Sequence, residues 1–334
     1  MTRVAHCRLR EATDRDAPTV FALLANLGLR LPNHDTGRSA MWRRLWIENP
    51  ALRGDDRPPP GWVLEADGMI VGFFGSILRE GVVGGRTVRI AVASLWGVQP
   101  GFRDHVPELA GAYFGQERAD VSLVTTAVLA TARIFERHGG QAVPQPNLGN
   151  TLSWVIDVQG FVAAALRRKG VGGNAATFSG KVSRKLGMFA STPLHRSVGT
   201  LPDVAILGIP DLGGEFDGLW RRVAESRAGF WAVRNAAALR WHFESNDSAV
   251  VFALRGANGL DGYTIVVRDD NTAIGLRRLR IADLVISADD AEKTTTLLAA
   301  AFAHADTECC HVLELVGLTA AAYDHARTLE HFST

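Results

Sequence analysis

Apolar and polar residues alternate along this chain in two ways, and each predicts a different kind of secondary structure. Stretches in which apolar residues recur every three or four positions, such as Val20, Leu23, Leu24 and Leu27, are typical of amphipathic helices. Stretches rich in β-branched residues, such as 121–128, are typical of strands. In the first half these patterns predict strands over 7–12, 62–66, 69–79, 86–98 and 121–128, and helices over 13–27, 39–48 and 130–138.

The second half repeats this order of elements. Helices are predicted over 215–232, 235–244, 290–304 and 319–331, and strands over 249–254, 261–268, 274–286 and 310–316. In both halves Asp or Asn followed by Gly joins two strands, at Asp67-Gly68 and Asn258-Gly259, which is typical of tight hairpins because these residues tolerate positive φ. Gly68 and Gly259 have the same separation along the chain as Arg89 and Arg280. This favours an internal repeat; the alternative is that two α+β domains share hairpins by chance.

A length of 334 residues is enough for two domains of ordinary size. The segment from Lys169 to Gly214 is rich in Gly, Ser and Pro and has few periodic apolar positions, as expected of a connection. We therefore expect an α+β protein with an N-terminal domain over 1–165, a connecting segment over 166–214 and a C-terminal domain over 215–334. Each domain should contain a mixed, mainly antiparallel sheet flanked by helices.

Composition narrows the classes of function. The chain has 36 Lys and Arg against 35 Asp and Glu, so no excess of positive charge points to nucleic acid or to a membrane surface. Three cysteines are too few for a disulfide framework, and no segment is apolar enough for secretion or membrane insertion, which favours a cytoplasmic location. The ten histidines show no metal-binding spacing, so we expect no metal.

Four motifs of the first half occur in a distinctive order. They are REATDRDAPTVFALL (Arg10 to Leu24), GWVLEADGMIVGFFGSI (Gly61 to Ile77), GVQPGFRD (Gly97 to Asp104) and ATARIFERHGG (Ala130 to Gly140). These motifs resemble the GCN5-related N-acetyltransferase (GNAT) superfamily: they look like its opening strand and helix, its central hairpin, the entry to its acyl-CoA loop and a later helix. The second half is similar more weakly, through ALRWHFESND (Ala238 to Asp247), LDGYTIVV (Leu260 to Val267) and RIADLVIS (Arg280 to Ser287). The resemblance implies two tandem GNAT-like domains.

The resemblance also implies a donor site, for acetyl-CoA or another acyl-CoA, at the end of the predicted fourth strand. The residues that match the family's cofactor-binding stretch are Trp96, Gly97, Val98, Arg103, Asp104, His105 and Val106. Glycines normally follow the arginine in this family, so that backbone amides reach the pyrophosphate. Here the turn contains Asp104, Pro107 and Glu108 instead; Pro107 lacks an amide proton and the two carboxylates repel phosphate. The donor is therefore expected to be held differently from CoA in the family.

Three residues are candidates for acid and base roles: His105, Tyr323 and Glu314. An unperturbed histidine titrates near neutral pH, which suits His105, and a solvated first-turn histidine is the alternative. The family's usual acid is a tyrosine in the helix after the fifth strand, where this chain has Phe135. Tyr323 lies in the corresponding helix of the second half, although a half-buried packing position fits it as well. Glu314 lies on a strand that faces substrate in this fold.

These observations predict an acyltransferase that moves an acyl group from a thioester donor to an amine or hydroxyl of a small-molecule or peptide-like acceptor. The donor is an acyl-CoA, an acyl carrier protein or an aminoacyl-tRNA, and the balanced charge disfavours tRNA. The alternative is a non-catalytic GNAT-like protein that uses its cleft to bind a ligand or a partner protein.

Overall fold

The computed structural model describes residues 7–52, 57–125, 129–143, 150–172, 204–257, 259–288, 290–317, 320–329 and 332–333. The chain divides into two compact units. The first comprises Met1–Val143 and Arg227–Val233, and the second comprises Pro144–Ser226 and Arg234–Thr334. Each unit is built around its own sheet.

The first unit contains a six-stranded sheet. Its strands are β1 (Cys7–Glu11), β2 (Gly61–Ala66), β3 (Met69–Val83), β4 (Arg86–Val98), β5 (Val121–Leu123) and β8 (Phe230–Ala232). Strands β1 to β5 are neighbours in chain order, β8 pairs with β3, and every pair is antiparallel except β4 with β5. Its described helices are α1 (Ala17–Asn26), α2 (Asp35–Trp46), α3 (Val106–Phe114) and α4 (Leu129–Arg137).

Both faces of this sheet are covered, as two adjacent residues of β3 show. Successive side chains of a strand point to opposite faces, so Phe73 and Phe74 enter different cores. The Phe73 ring lies 6.2 Å from that of Trp46 in α2, and the Phe74 ring lies 4.5 Å from that of Tyr113 in α3. Both phenylalanines are completely buried, and each contributes about 2–3 kcal/mol of hydrophobic stabilisation.

The second unit contains a seven-stranded sheet. Its strands, in spatial order, are β13 (Phe332–Ser333), β6 (Thr151–Val155), β12 (Val312–Val316), β11 (Arg278–Ile286), β10 (Gly259–Arg268), β9 (Val250–Gly256) and β7 (Val204–Gly208). The pair β11–β12 is parallel and the other pairs are antiparallel. The helices described in this unit are α5 (Val158–Arg168), α6 (Gly214–Ser226), α7 (Ala236–Phe243), α8 (Ala291–Thr307) and α9 (Ala320–Thr328).

The two sheets share one strand order. Strands β2 to β5 in the first unit and β9 to β12 in the second are each a run of neighbours in which only the last pair is parallel. The predicted tight turn of the first hairpin is confirmed, since Asp67 and Gly68 both have positive φ, 49° and 78°. In the second hairpin Gly259 has φ 104°, and Asn258 lies outside the described residues. The predicted α+β class, with two mixed and mainly antiparallel sheets, is confirmed.

The division into units differs from the predicted boundaries. Strand β6 falls within the predicted N-terminal domain of 1–165, yet it pairs with β12 in the second sheet, where Leu152 and Trp154 are completely buried. Strand β7, within the predicted connection of 166–214, forms the edge of the same sheet. Strand β8 replaces the end of the helix predicted over 215–232, because Gly229 breaks the helical pattern with φ 103°.

Four tryptophans that lie on helices are packed into these cores. Trp42, Trp46, Trp220 and Trp241 are each at most 8% exposed. Trp231 differs, because it lies in β8 rather than in a helix and is partly exposed.

Candidate functional site

The parallel strands β4 and β5 separate before β4 ends. Their pairing covers Ile90 with Val121, Ala91 with Ser122 and Val92 with Leu123. Strand β4 continues to Val98 and remains paired with β3 on its other side. Within the described part of the chain, no strand pairs with the β5-facing edge of β4 beyond Val92. Among the described strands, this edge is therefore a place at which a further extended chain could pair.

A β-bulge lies in the separated part of β4. Strand β3 advances two residues from Phe73 to Gly75 while its partner β4 advances three, from Ser94 to Gly97. The extra residue brings Leu95 into the left-handed region, with φ 52°, which is unusual for leucine. A bulge redirects the strand beyond it, so it turns the end of β4 away from the line of β5.

Tyr113 of α3 lies at the point where the two strands separate. Its hydroxyl donates to the Ala91 carbonyl (2.7 Å) and the Leu123 carbonyl (3.1 Å), one on each strand. The side chain is completely buried, and burial raises the pKa of Tyr113, so the phenol stays protonated and acts as a donor. Tyr113 therefore fixes the two strands together immediately before the opening.

The wall beside the opening is aromatic. The Trp96 ring lies 4.8 Å from Phe74 and 5.5 Å from Phe135, and Phe135 also contacts Phe114 at 5.7 Å. Phe135 is only 7% exposed and has no proton to donate. The position at which the family resemblance implies an acidic tyrosine is thus a packing position in this protein. Trp96, predicted to bind cofactor, belongs to the same aromatic group, and its neighbour Val98 is buried in the same core.

Gly97 has a packing role on the other face of β4. A Cβ atom there would lie 2.8 Å from Leu27 and 2.9 Å from Leu24, at and just beyond the end of α1. This spacing is shorter than real contacts, so a larger residue would require the ends of the two leucine side chains to move, whereas glycine lets them pack directly against the strand. The structure accounts for Gly97 without a ligand.

The turn after β4 is a 3-10 helix over Pro100–His105 that leads directly into α3. Its internal hydrogen bonds use amides that a phosphate would need: Phe102 N donates to the Gln99 carbonyl and Val106 N donates to the Arg103 carbonyl. The next residue, Pro107, has no amide proton. Arg103 and Asp104 are exposed on this turn. The amides of Phe102 and Val106 are thus already bonded within the turn.

His105 lies at the end of the same turn and forms a pair with Glu108. Its Nδ1 lies 2.8 Å from Glu108 Oε1, and the side chains are 34% and 51% exposed. A carboxylate partner holds the proton of a neutral imidazole on Nδ1, which leaves Nε2 as an acceptor. This is the arrangement of an oriented base, situated at the end of β4.

In the second unit, amides at the start of the corresponding helix are bonded to a side chain. Helix α8 follows β11 as α3 follows β4, but Asp290 Oδ1 accepts from the amides of Glu292 (2.9 Å) and Lys293 (3.1 Å). Asp290 therefore caps this helix, and those amides are already bonded. Asp289 lies outside the described residues.

The other two predicted catalytic residues belong to the second unit. Glu314 lies on β12 in the second unit, where its Oε2 accepts from Arg278 (3.2 Å) and Arg280 (3.3 Å) and its side chain is 12% exposed. This is a shielded ion-pair network across the parallel strands. Tyr323 is a residue of α9, but its side chain lies outside the described residues.

Sequence reasoning did not identify Tyr113 or the bulge at Leu95 as parts of the site. In the sequence, Tyr113 occupies one apolar position of an amphipathic helix. The hydrogen-bonding role of its hydroxyl is apparent only when β4 and β5 are in place. A bulge is a property of strand register, which a single strand's sequence does not carry.

Comparisons with known proteins agree on the fold. No protein-family model matches the sequence, and no curated protein matches it. Among solved structures, the chain is similar to GCN5-related N-acetyltransferases from Kribbella flavida (15% identity, TM-score 0.61, 99% of this chain and 68% of that one) and Anabaena variabilis (12%, 0.58, 95% and 68%). It is also similar to a "Probable N-Acyltransferase" from Enterococcus faecalis (10% identity, TM-score 0.58, 94% and 65%). The chain spans about two thirds of the length of these proteins. It therefore has the GNAT fold, and the predicted resemblance is confirmed at that level.

In the part of the chain that the structure describes, there is neither a candidate membrane-spanning helix nor a candidate metal site. No helix there is both long and apolar enough to pass through a lipid bilayer. No group of three or more His, Cys, Asp or Glu side chains in those residues could hold a metal ion.

Proposed function

We propose that the protein is an acyltransferase whose first unit binds the pantetheine arm of an acyl thioester along the open edge of β4. The observation that carries this proposal is the separation of β4 from β5 after Val92, with the bulge at Leu95 beyond it. Pantetheine is an extended chain with two secondary amides. Such a chain adds to an unpaired strand edge by backbone hydrogen bonds, as extended peptides do.

The arrangement favours a donor recognised by its arm rather than by its nucleotide. The turn amides at Phe102 and Val106 are bonded internally, and Asp104 and Glu108 add negative charge beside them. An acyl group on a carrier protein carries the same pantetheine arm without the pyrophosphate of CoA. An acyl carrier protein and a loosely held acyl-CoA both fit this chemistry.

For the transfer step, His105 is the base. Its Nε2 accepts a proton from the acceptor amine or hydroxyl, whose nitrogen or oxygen then forms a bond to the thioester carbonyl carbon. The carbon–sulfur bond breaks, and the leaving thiolate takes a proton from the imidazolium. Glu108 keeps the imidazole oriented through its contact with Nδ1.

The proposal is tested by titrating the full chain with acetyl-pantetheine and with acetyl-CoA, and by following thiol release in the presence of a panel of amines. We expect the two dissociation constants to agree within about threefold, because the nucleotide adds few contacts. Acetyl-CoA binding a hundredfold more tightly would show that the turn holds pyrophosphate. Absence of binding by both thioesters would overturn the proposal.

The variant His105→Ala tests the catalytic role. General-base catalysis is typically worth about two to four orders of magnitude, so we expect turnover to fall by about a hundredfold with little change in melting temperature. Glu117→Gln, at an exposed acid of the following loop, is the control and should leave turnover unchanged. If turnover in His105→Ala equals that of the wild type, His105 is not the base.

A second function is favoured by one observation, the burial of Phe135 where the family resemblance implies a proton-donating tyrosine. On this alternative the first unit binds the pantetheine thioester without transferring the acyl group. Binding of acetyl-pantetheine with no thiol release above the uncatalysed rate, for any amine in the panel, would select it.

A further inference from the structure

A cavity of about 510 Å³ lies within the second unit, away from the end of its sheet that corresponds to the β4 opening. It is lined by α5 from its N-cap Asp157 to Arg167, by the loop joining β10 to β11, and by His311 immediately before β12. It therefore adjoins the beginnings of β11 and β12, whereas the β4 opening lies at the end of its strand. Its volume is within the range of small-molecule sites.

The two acids that line the cavity already have partners. Asp157 caps α5, where its Oδ1 accepts from Gly160 N at 3.1 Å. Asp270 accepts from Arg268 Nε (3.1 Å) and from the Arg278 amide (2.9 Å). Their negative charge is thus balanced locally by an arginine and by a helix N-terminus.

Two arginines line this space, Arg167, whose Nη1 donates to the Ile274 carbonyl at 3.2 Å, and Arg277. The Nε of Arg277 lies 3.0 Å from His311 Nε2, and its Nη2 lies 3.9 Å from Asp157 Oδ2, which is too long for a strong hydrogen bond. The side chain is 45% exposed, so part of the guanidinium fork faces the cavity.

His311 is buried, at 7% exposure, and both its ring nitrogens face donors from one residue. The Arg277 amide approaches Nδ1 at 3.3 Å while Arg277 Nε approaches Nε2 at 3.0 Å. A neutral imidazole has only one acceptor nitrogen, and the other carries a proton. Burial, and then the charge of Arg277, lower the pKa of His311 and favour the neutral ring. Among the described residues the nearest carboxylate oxygen to Nε2 is Asp157 Oδ2, at 3.8 Å, so the ring proton lacks a good acceptor.

An oxyanion bound between Arg277 and His311 supplies the acceptor that the His311 ring proton lacks. One of its oxygens accepts the Nε2 proton of His311, while its others receive the N–H groups of the guanidinium, whose planar fork matches carboxylate and phosphate. His311 Nδ1 then keeps the Arg277 amide as its donor. We propose that this cavity binds a small metabolite through a carboxylate or phosphate group held by Arg277 and His311.

Calorimetric titration of the full chain with sodium phosphate and, separately, with disodium succinate tests the proposal and distinguishes the two sources of the oxyanion. We expect millimolar or tighter binding of at least one of them. Arg277→Gln should weaken that binding at least tenfold. Arg277→Lys keeps the charge but loses the fork, so it should weaken binding to an intermediate extent.

Arg255→Gln is the matched control. Arg255 also lies in the second unit, its side chain is similarly exposed (44%), and it pairs with Glu215 away from the cavity. Binding in this variant should equal that of the wild type. The proposal fails if neither anion binds at concentrations up to about 50 mM, a limit that still admits weak oxyanion sites. It also fails if binding is unchanged in both Arg277→Gln and Arg277→Lys.

Discussion

At the scale of single residues, Gly160 illustrates how a contact can reverse an intrinsic preference. It lies in α5, where alanine would ordinarily stabilise the helix by about 0.5–1 kcal/mol. A Cβ atom at this position, however, would lie 2.4 Å from the His311 ring and 2.7 Å from Asp157 Oδ2. Both neighbours are held by other contacts, so they have little freedom to move.

We therefore predict that Gly160→Ala destabilises the protein by about 1–3 kcal/mol, measured by urea unfolding. Gly218→Ala in α6 is the matched control, because the nearest atom to its added Cβ is Arg222 Nη1 at an ordinary 3.7 Å. That variant should be stabilised by up to about 1 kcal/mol. Equal effects at the two positions would show that the His311 ring is not fixed against α5.

At the scale of secondary-structure elements, the first site depends on where β4 and β5 stop pairing. Tyr113→Phe removes the hydroxyl that bonds to Ala91 and Leu123 while it keeps the buried ring. We predict a loss of about 1–2 kcal/mol in the free energy of unfolding, together with faster amide hydrogen exchange in β5. Unchanged exchange in β5 would mean that the hydroxyl does not hold the strands together.

The elements themselves were largely predictable, because their signals are local. The alternation along β3 and the Asp67-Gly68 turn specify a hairpin regardless of the rest of the chain. Strand β6 was not predicted from the sequence, and the segment that contains it was placed in the N-terminal domain of 1–165. The apolar residues Leu152 and Trp154 indicate only that one face is buried. Which sheet buries that face depends on pairing with β12, more than 150 residues away along the chain.

At the scale of the whole molecule, two sheets with one strand order are combined with two different candidate sites. The motif around Val98 and Pro100 predicted the place of the first site from sequence. The second site combines Arg277 in the loop before β11, His311 immediately before β12, and residues of α5. No regular spacing along the sequence links these residues. Only the folded unit brings them together, which is why the sequence did not indicate this site.

Donor binding in the first unit depends on the open edge of β4. Hydrogen–deuterium exchange of the full chain with and without saturating acetyl-pantetheine measures which backbone amides the ligand protects. We predict slower exchange in 93–98, the part of β4 beyond its pairing with β5. Binding that leaves 93–98 unprotected, or that protects 282–286 at the end of β11 instead, would contradict the assignment of the donor site to the first unit.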